Sequence, residues 1–113
     1  MSLNKSAIIE RFTGQVATLI VHIIIDKSST SEEMHQKYVK EINNSLSLAK
    51  KYRNDINPID KPLHSSDIEY IKQKIYGKVK SELQSRTLRG YKNIQWNLIN
   101  EEIEKTLKEL NIN

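Results

Sequence analysis

Apolar positions recur at intervals of three and four along most of the chain. This is the period of an amphipathic helix rather than the two-residue alternation of a half-buried strand. In the first segment Ile8, Ile9, Phe12, Val16, Leu19, Ile20, Ile23 and Ile24 project onto one broad face, with Arg11, Gln15, Thr18 and His22 opposite. The β-branched run from Leu19 to Ile25 also suits a buried strand. No second strand candidate exists within the chain to pair with it, although a strand paired across two chains would carry the same pattern. We read a helix over about 5–26. Val21 and Ile25 lie outside its main face, so it is apolar round more than half its girth: either the central helix of a bundle or a subunit interface.

Thr30-Ser31-Glu32-Glu33 has the form of a capping box. Behind it Met34, Tyr38, Ile42, Leu46, Ala49 and Tyr52 predict a second helix over 31–53, with Lys37, Lys40, Asn44, Ser47 and Lys51 in a polar, basic line opposite. Asn57-Pro58 and Lys61-Pro62 mark 54–66 as a loop, because proline lacks an N–H and restricts the residue before it. Ile56, Ile59 and Leu63 are expected to tuck this loop onto the core. Ser66-Asp67-Ile68-Glu69 is a second capping box, opening a helix over 67–85 that buries Ile68, Ile71, Ile75, Tyr76, Val79 and Leu83. A turn around Gly90 covers 87–92, and a last helix over 94–111 carries a narrow stripe of Trp96, Ile99, Ile103, Leu107 and Leu110. The expected fold is all-α, a single domain of about four helices, built as two helical hairpins joined by the proline-containing loop.

At 113 residues the chain has room for one domain with a thin core. It has no cysteine, which excludes disulfides, thiol catalysis and thiolate metal sites. The apolar run from Val16 to Ile25 falls short of the roughly 20 residues of a membrane span, and no small-x-small cleavage pattern follows it. Cytoplasmic residence without integral membrane association is the expectation.

Charge supplies the one outward-facing feature. The net charge is +4, and between Lys72 and Lys92 seven cations stand against Glu82 alone, while Glu101, Glu102, Glu104 and Glu109 crowd the last segment. Cations of this density suit phosphates or an acidic partner. Candidate contacts are Lys37, Lys40 and Lys51 on the second helix, Lys74 and Lys78 on the third, extending that line if the two helices pack side by side, and Arg86, Arg89, Tyr91 and Lys92 in a mobile basic turn. Tyr70 and Tyr91 are the aromatic residues expected at the surface, whereas Tyr38, Tyr52, Tyr76 and Trp96 are expected to pack.

Catalytic chemistry finds little footing. There is no nucleophile elbow and no glycine-rich phosphate cradle. The single E-x-x-H step, Glu32 to His35, occurs once where di-iron bundles need it twice, and Glu101, Glu102 and Glu104 point away from the apolar stripe as a solvated face. His22 is expected in solvent. No cofactor, metal or catalytic residue is assigned. The expectation is a non-enzymatic adaptor or regulator that binds another protein and associates with itself through Val21 and Ile25. The alternative is a nucleic-acid-binding protein using the basic residues of the second and third helices and the turn.

Overall fold

The computed structural model describes residues 5–29, 31–57 and 61–112. They form four helices: α1 (Lys5–Ser28), α2 (Glu32–Ile56), α3 (Ser65–Leu88) and α4 (Leu98–Glu109). Cross-helix pairs set their directions. Asp26 meets His35 and His22 meets Glu41, so α1 and α2 are antiparallel. Lys5 meets Asp67 and Glu10 meets Lys78, so α3 runs parallel to α1. Lys27 meets Glu102, which returns α4 antiparallel to α1. The fold is the expected all-α bundle of two helical hairpins, about 40 Å long and 25 Å across.

The hairpins are unequal. α1 packs against all three other helices and α4 also against α3, but no Cα of α2 approaches α3 or α4 within 8 Å among the described residues. The apolar girth of α1 follows from this position. Phe12, Val16, Ile20 and Ile24 are wholly enclosed, and so nearly are Val21 and Ile25. By length and composition α1 could cross a membrane, yet 56% of that apolar window is covered by its own neighbours. A core helix gains the same burial against protein that a span gains against lipid. The strand alternative for Leu19 to Ile25 is thereby replaced by helix.

Element ends differ from the expected ones for local reasons. Ser31, not Thr30, caps α2: it sits in extended backbone and its Oγ accepts from the Met34 N–H. Thr30, like Pro58 and Ile59, lies outside the described residues. The second capping box does not form, because α3 begins earlier at Ser65 and takes Ser66 into its first turn. Asp67, also in that turn, complements the helix dipole and pairs with Lys5. α4 starts later than expected, at Leu98, since Asn93 adopts a positive φ of 61° and breaks the approach. That shift takes Trp96 off the packed stripe and leaves it 41% exposed.

The C-termini of α3 and α4 close alike. In α3 the Tyr91 N–H donates to the Arg86 carbonyl and the Gly90 N–H to that of Thr87; in α4 the Ile112 N–H donates to Leu107 and the Asn111 N–H to Lys108. Both are Schellman closures with the left-handed residue, Gly90 or Asn111, just past the cap. Ile112 then buries against the core. Arg53, fully enclosed at the end of α2, locks this tail: its Nε donates to the Leu110 carbonyl at 3.1 Å and its Nη2 to that of Asn111 at 3.1 Å. Its Nη1 holds Asn57 Oδ1 at 2.7 Å. Burial pushes this guanidinium's pKa down, and the ring of carbonyl and amide acceptors satisfies the donors of a charge held out of water.

Candidate interaction surface

The basic stretch of α3 is largely neutralised by acids from other helices. Lys78 Nζ lies 3.0 Å from Glu10 Oε1 and Lys74 Nζ 3.5 Å from Glu10 Oε2, both across the α1–α3 seam. The hydrogen bond from Lys78 is the largest influence holding the Glu10 carboxyl below its ordinary range. Lys72 meets Glu104 of α4 at 3.0 Å, and Arg86 and Arg89 both reach Glu82, at 3.2 and 3.3 Å. Lys80 stands over the Tyr76 ring, 6.0 Å from its centroid. Tyr76, expected in the core, is on the surface.

On α2 the reverse holds. Lys37, Lys40 and Lys51, with neighbouring Lys50, are exposed and make no ion pair or side-chain hydrogen bond among the described residues. From Lys37 to Lys51 the row runs about 21 Å at 1.5 Å per residue. Because α2 and α3 do not lie side by side, Lys74 and Lys78 do not extend it. The expected composite basic surface is divided into a free row on α2 and an engaged set on α3.

Arg86, Arg89, Tyr91 and Lys92 do come together, at the corner joining α3 to α4. This corner is hydrogen-bonded at both ends. The closure at Gly90 places Tyr91 back over Arg86, whose guanidinium lies 5.4 Å from the ring centroid, in the position where an apolar contact usually completes the motif. Further along, the Gln95 N–H donates to Ser28 Oγ and its Nε2 to the Lys27 carbonyl, both at 3.2 Å, hooking the connection onto the end of α1. Three large apolar side chains stand out within nine residues of this corner: Leu88 at 90% exposure, Trp96 at 41% and Tyr91 at 37%. Tyr70, the other expected surface aromatic, is exposed on α3 far from the corner.

Val21 and Ile25 are not available to a second copy. Val21 faces α3 beside Arg86, and Ile25 lies under Met34, Tyr38 and Ile94. The cover anticipated from another chain comes from α2, α3 and the α3–α4 connection instead.

Two further residues depart from expectation. Glu102, taken as solvated, is 2% exposed and held by Lys27 Nζ at 2.6 Å, which anchors α4 to the end of α1. His22 is not in solvent: its ring stacks tilted on Tyr38 at 5.4 Å, its Nε2 faces Glu41 Oε2 at 3.2 Å, and its Nδ1 is buried without a partner. Burial is the main cause pushing its pKa down, against the pull of Glu41. Burial also raises the Tyr38 phenol, followed by a hydrogen bond with Tyr91. His22 and Tyr38 thus stand between Glu41 of α2 and Tyr91 of the corner. His35 of the E-x-x-H step turns to Asp26, 2.8 Å away, and the described residues contain no cluster of three metal-ligating side chains.

No signal along the chain marks Leu88 or Glu102 for these places. Leu88 lies three residues past the expected end of α3 and off its apolar stripe, and Glu102 is one of three glutamates of identical type. Compared with protein-family models, with curated proteins and with solved structures, the chain gives no match to any of them, so the corner and the α2 row are what bear on function.

Proposed function

We propose that the protein is a non-enzymatic binding module whose α3–α4 corner engages another protein. The observation that carries this reading is the exposure of Leu88, Tyr91 and Trp96 beside Arg89 and Lys92 on a connection fixed at both ends. Tyr, Trp and Arg are the residue types that dominate binding energy at protein interfaces. A connection tied down before binding loses little entropy on docking. Isolated exposed apolar residues are ordinary, but here three stand within nine residues of chain, with Arg89 and Lys92 among them. The test is photo-crosslinking in native cells from residues substituted at positions 88 and 96, with positions 39 and 70 as exposed controls. One protein should be captured from the first pair and not from the second. Equal capture from all four would remove the corner as the contact. Sedimentation of the purified chain tells whether the captured partner is a second copy.

A second reading is favoured by a separate feature, the unpaired lysine row of α2. Lys37, Lys40, Lys50 and Lys51 make no ion pair among the described residues and can meet phosphates, whereas Lys72, Lys74 and Lys78 of α3 would first have to leave their acids. If nucleic acid is the ligand, the logarithm of affinity falls linearly with that of salt, by about 0.9 per duplex phosphate contacted.

A further inference from the structure

Beside the corner is a half-open socket of about 170 Å³, walled by Ile25 of α1, Met34 and Tyr38 of α2, and Tyr91, Ile94 and Lys92 of the α3–α4 connection. Its size is the first clue. Sites for whole small molecules occupy roughly 300–1,000 Å³, so this one is suited to a single side chain. Its chemistry is the second. The polar groups nearest its floor are already used: Ser28 Oγ donates to the Ile24 carbonyl and accepts from the Gln95 N–H, and Ser29 Oγ accepts from the Ser31 N–H. Ile25, Met34 and Ile94, with the rings of Tyr38 and Tyr91, make most of the remaining wall apolar. At the rim stands Lys92, exposed and without an ion pair among the described residues. Arg86 and Arg89 share one acid, Glu82, so the surrounding corner carries a surplus of positive charge.

We infer that this socket receives one apolar side chain, of about leucine or methionine size, from an acidic segment of a partner protein, with a carboxylate next to that side chain meeting Lys92. The inference rests on the protein-binding reading of the corner and narrows it to a class of partner. A phosphate backbone is a poor occupant, since an apolar wall offers it no hydrogen bond in exchange for lost water. A larger cleft of about 270 Å³ on the α1–α3 seam, lined by Gly14, Thr18, His22, Lys78, Glu82 and Arg86, is a weaker candidate. Its cations are already paired to Glu10 and Glu82.

The test is selection of a displayed library of random linear peptides on the full chain, followed by binding of the winners to Lys92→Glu, Leu88→Ser and Trp96→Ala. Lys92 is exposed, so its reversal leaves the fold intact. Winners should share an apolar residue adjacent to Asp or Glu and lose about tenfold in affinity to Lys92→Glu, the scale of one good charge contact. They should lose as much when their own carboxylate becomes an amide. Winners that lose affinity to Trp96→Ala but lack the apolar–acidic pair and ignore Lys92→Glu would overturn the socket and leave the corner standing. Winners indifferent to all three substitutions, or a selection without winners, would overturn both. Displacement of the winners by a DNA oligonucleotide but not by an excess of acidic peptide would also overturn the socket.

Discussion

The outer faces of α2 and α3 carry similar charge by composition but differ in how much of it is free. Along α3 the cations are closely spaced, yet Glu10 from α1 and Glu104 from α4 reach over to meet Lys74, Lys78 and Lys72, and Glu82 holds Arg86 and Arg89. On α2 the lysines make no ion pair among the described residues, because the backbone of α2 packs closely only on that of α1 and the lysine side turns to solvent. The density of charge along a chain therefore says little about how much of it is free. What decides is whether a neighbouring helix brings an opposite charge within ion-pair distance. Such exposed pairs add little stability, but they compete with any external anion for the same ammonium groups.

The largest effect expected concerns the one cation of α2 that points inward. Arg53→Ala leaves the Leu110 and Asn111 carbonyls without their donor and opens a void, and should cost about 3 kcal/mol of stability in urea unfolding. Replacing Lys37, Lys40, Lys50 and Lys51 singly by alanine should each move stability by less than about 0.5 kcal/mol. Comparable losses at Arg53 and the lysines would break the distinction between inward and outward charge on this helix.

For external anions the order reverses. Changing the four α2 lysines together to glutamate should remove polyanion binding, if any is measured by anisotropy at low salt. Glu10→Gln should strengthen it, because Lys74 and Lys78 are released, and should steepen the salt dependence by up to about two contacts. An unchanged slope would mean that the α3 lysines are as available with Glu10 as without it.

The corner supplies a smaller effect. Gly90 has a φ of 100°, where a side chain is strained even though no atom crowds its Cβ position. Gly90→Ala should cost about 1 kcal/mol and loosen the placement of Tyr91 on Arg86. Retention of full stability would show that the α3 closure does not hold the corner.

Smallest, and of opposite sign at two places on the α1–α2 hairpin, are the effects of pH. His22 has its pKa lowered by burial, so the native state favours the neutral ring. Its contribution is present above the ordinary histidine value of about 6.5 and is lost as pH falls through that value towards the lower folded one. His35 has its pKa raised, first by the hydrogen bond to Asp26. Its contribution is present below the unfolded value and is lost as pH rises through the folded one. In denaturant midpoints followed against pH, His22→Gln should remove the acid-side loss and His35→Gln the alkaline-side one. A single histidine substitution that flattened both sides would contradict this division.

Much of the architecture was legible along the chain. The period of Ile9, Phe12, Val16, Ile20 and Ile24 marks the core side of α1, whereas its excess of apolar positions suits a central helix and a subunit interface alike. The basic line of α2 was equally readable, because nothing in the fold covers it. Helix ends were less so: the Ser31 cap and the delayed start of α4 depend on backbone angles that several nearby residues could have adopted. Least readable were the fates of individual polar residues. Glu101, Glu102 and Glu104 are chemically alike, yet Glu102 is enclosed against Lys27 and Glu104 reaches Lys72 from the surface.

The sequence by itself pointed to four helices in two hairpins with an unusually apolar first helix, because helical periodicity is a local property carried by residues three and four apart; that this helix is central was decided by the tertiary structure. Only the tertiary structure decided which charges remain free and that Val21 and Ile25 are covered within the chain. It also decided that Leu88, Tyr91 and Trp96 are exposed. These outcomes depend on ion pairs and packing between residues as far apart as Lys27 and Glu102, 75 positions along the chain. Attraction between charges depends on their distance in space, for which separation along the chain is no guide.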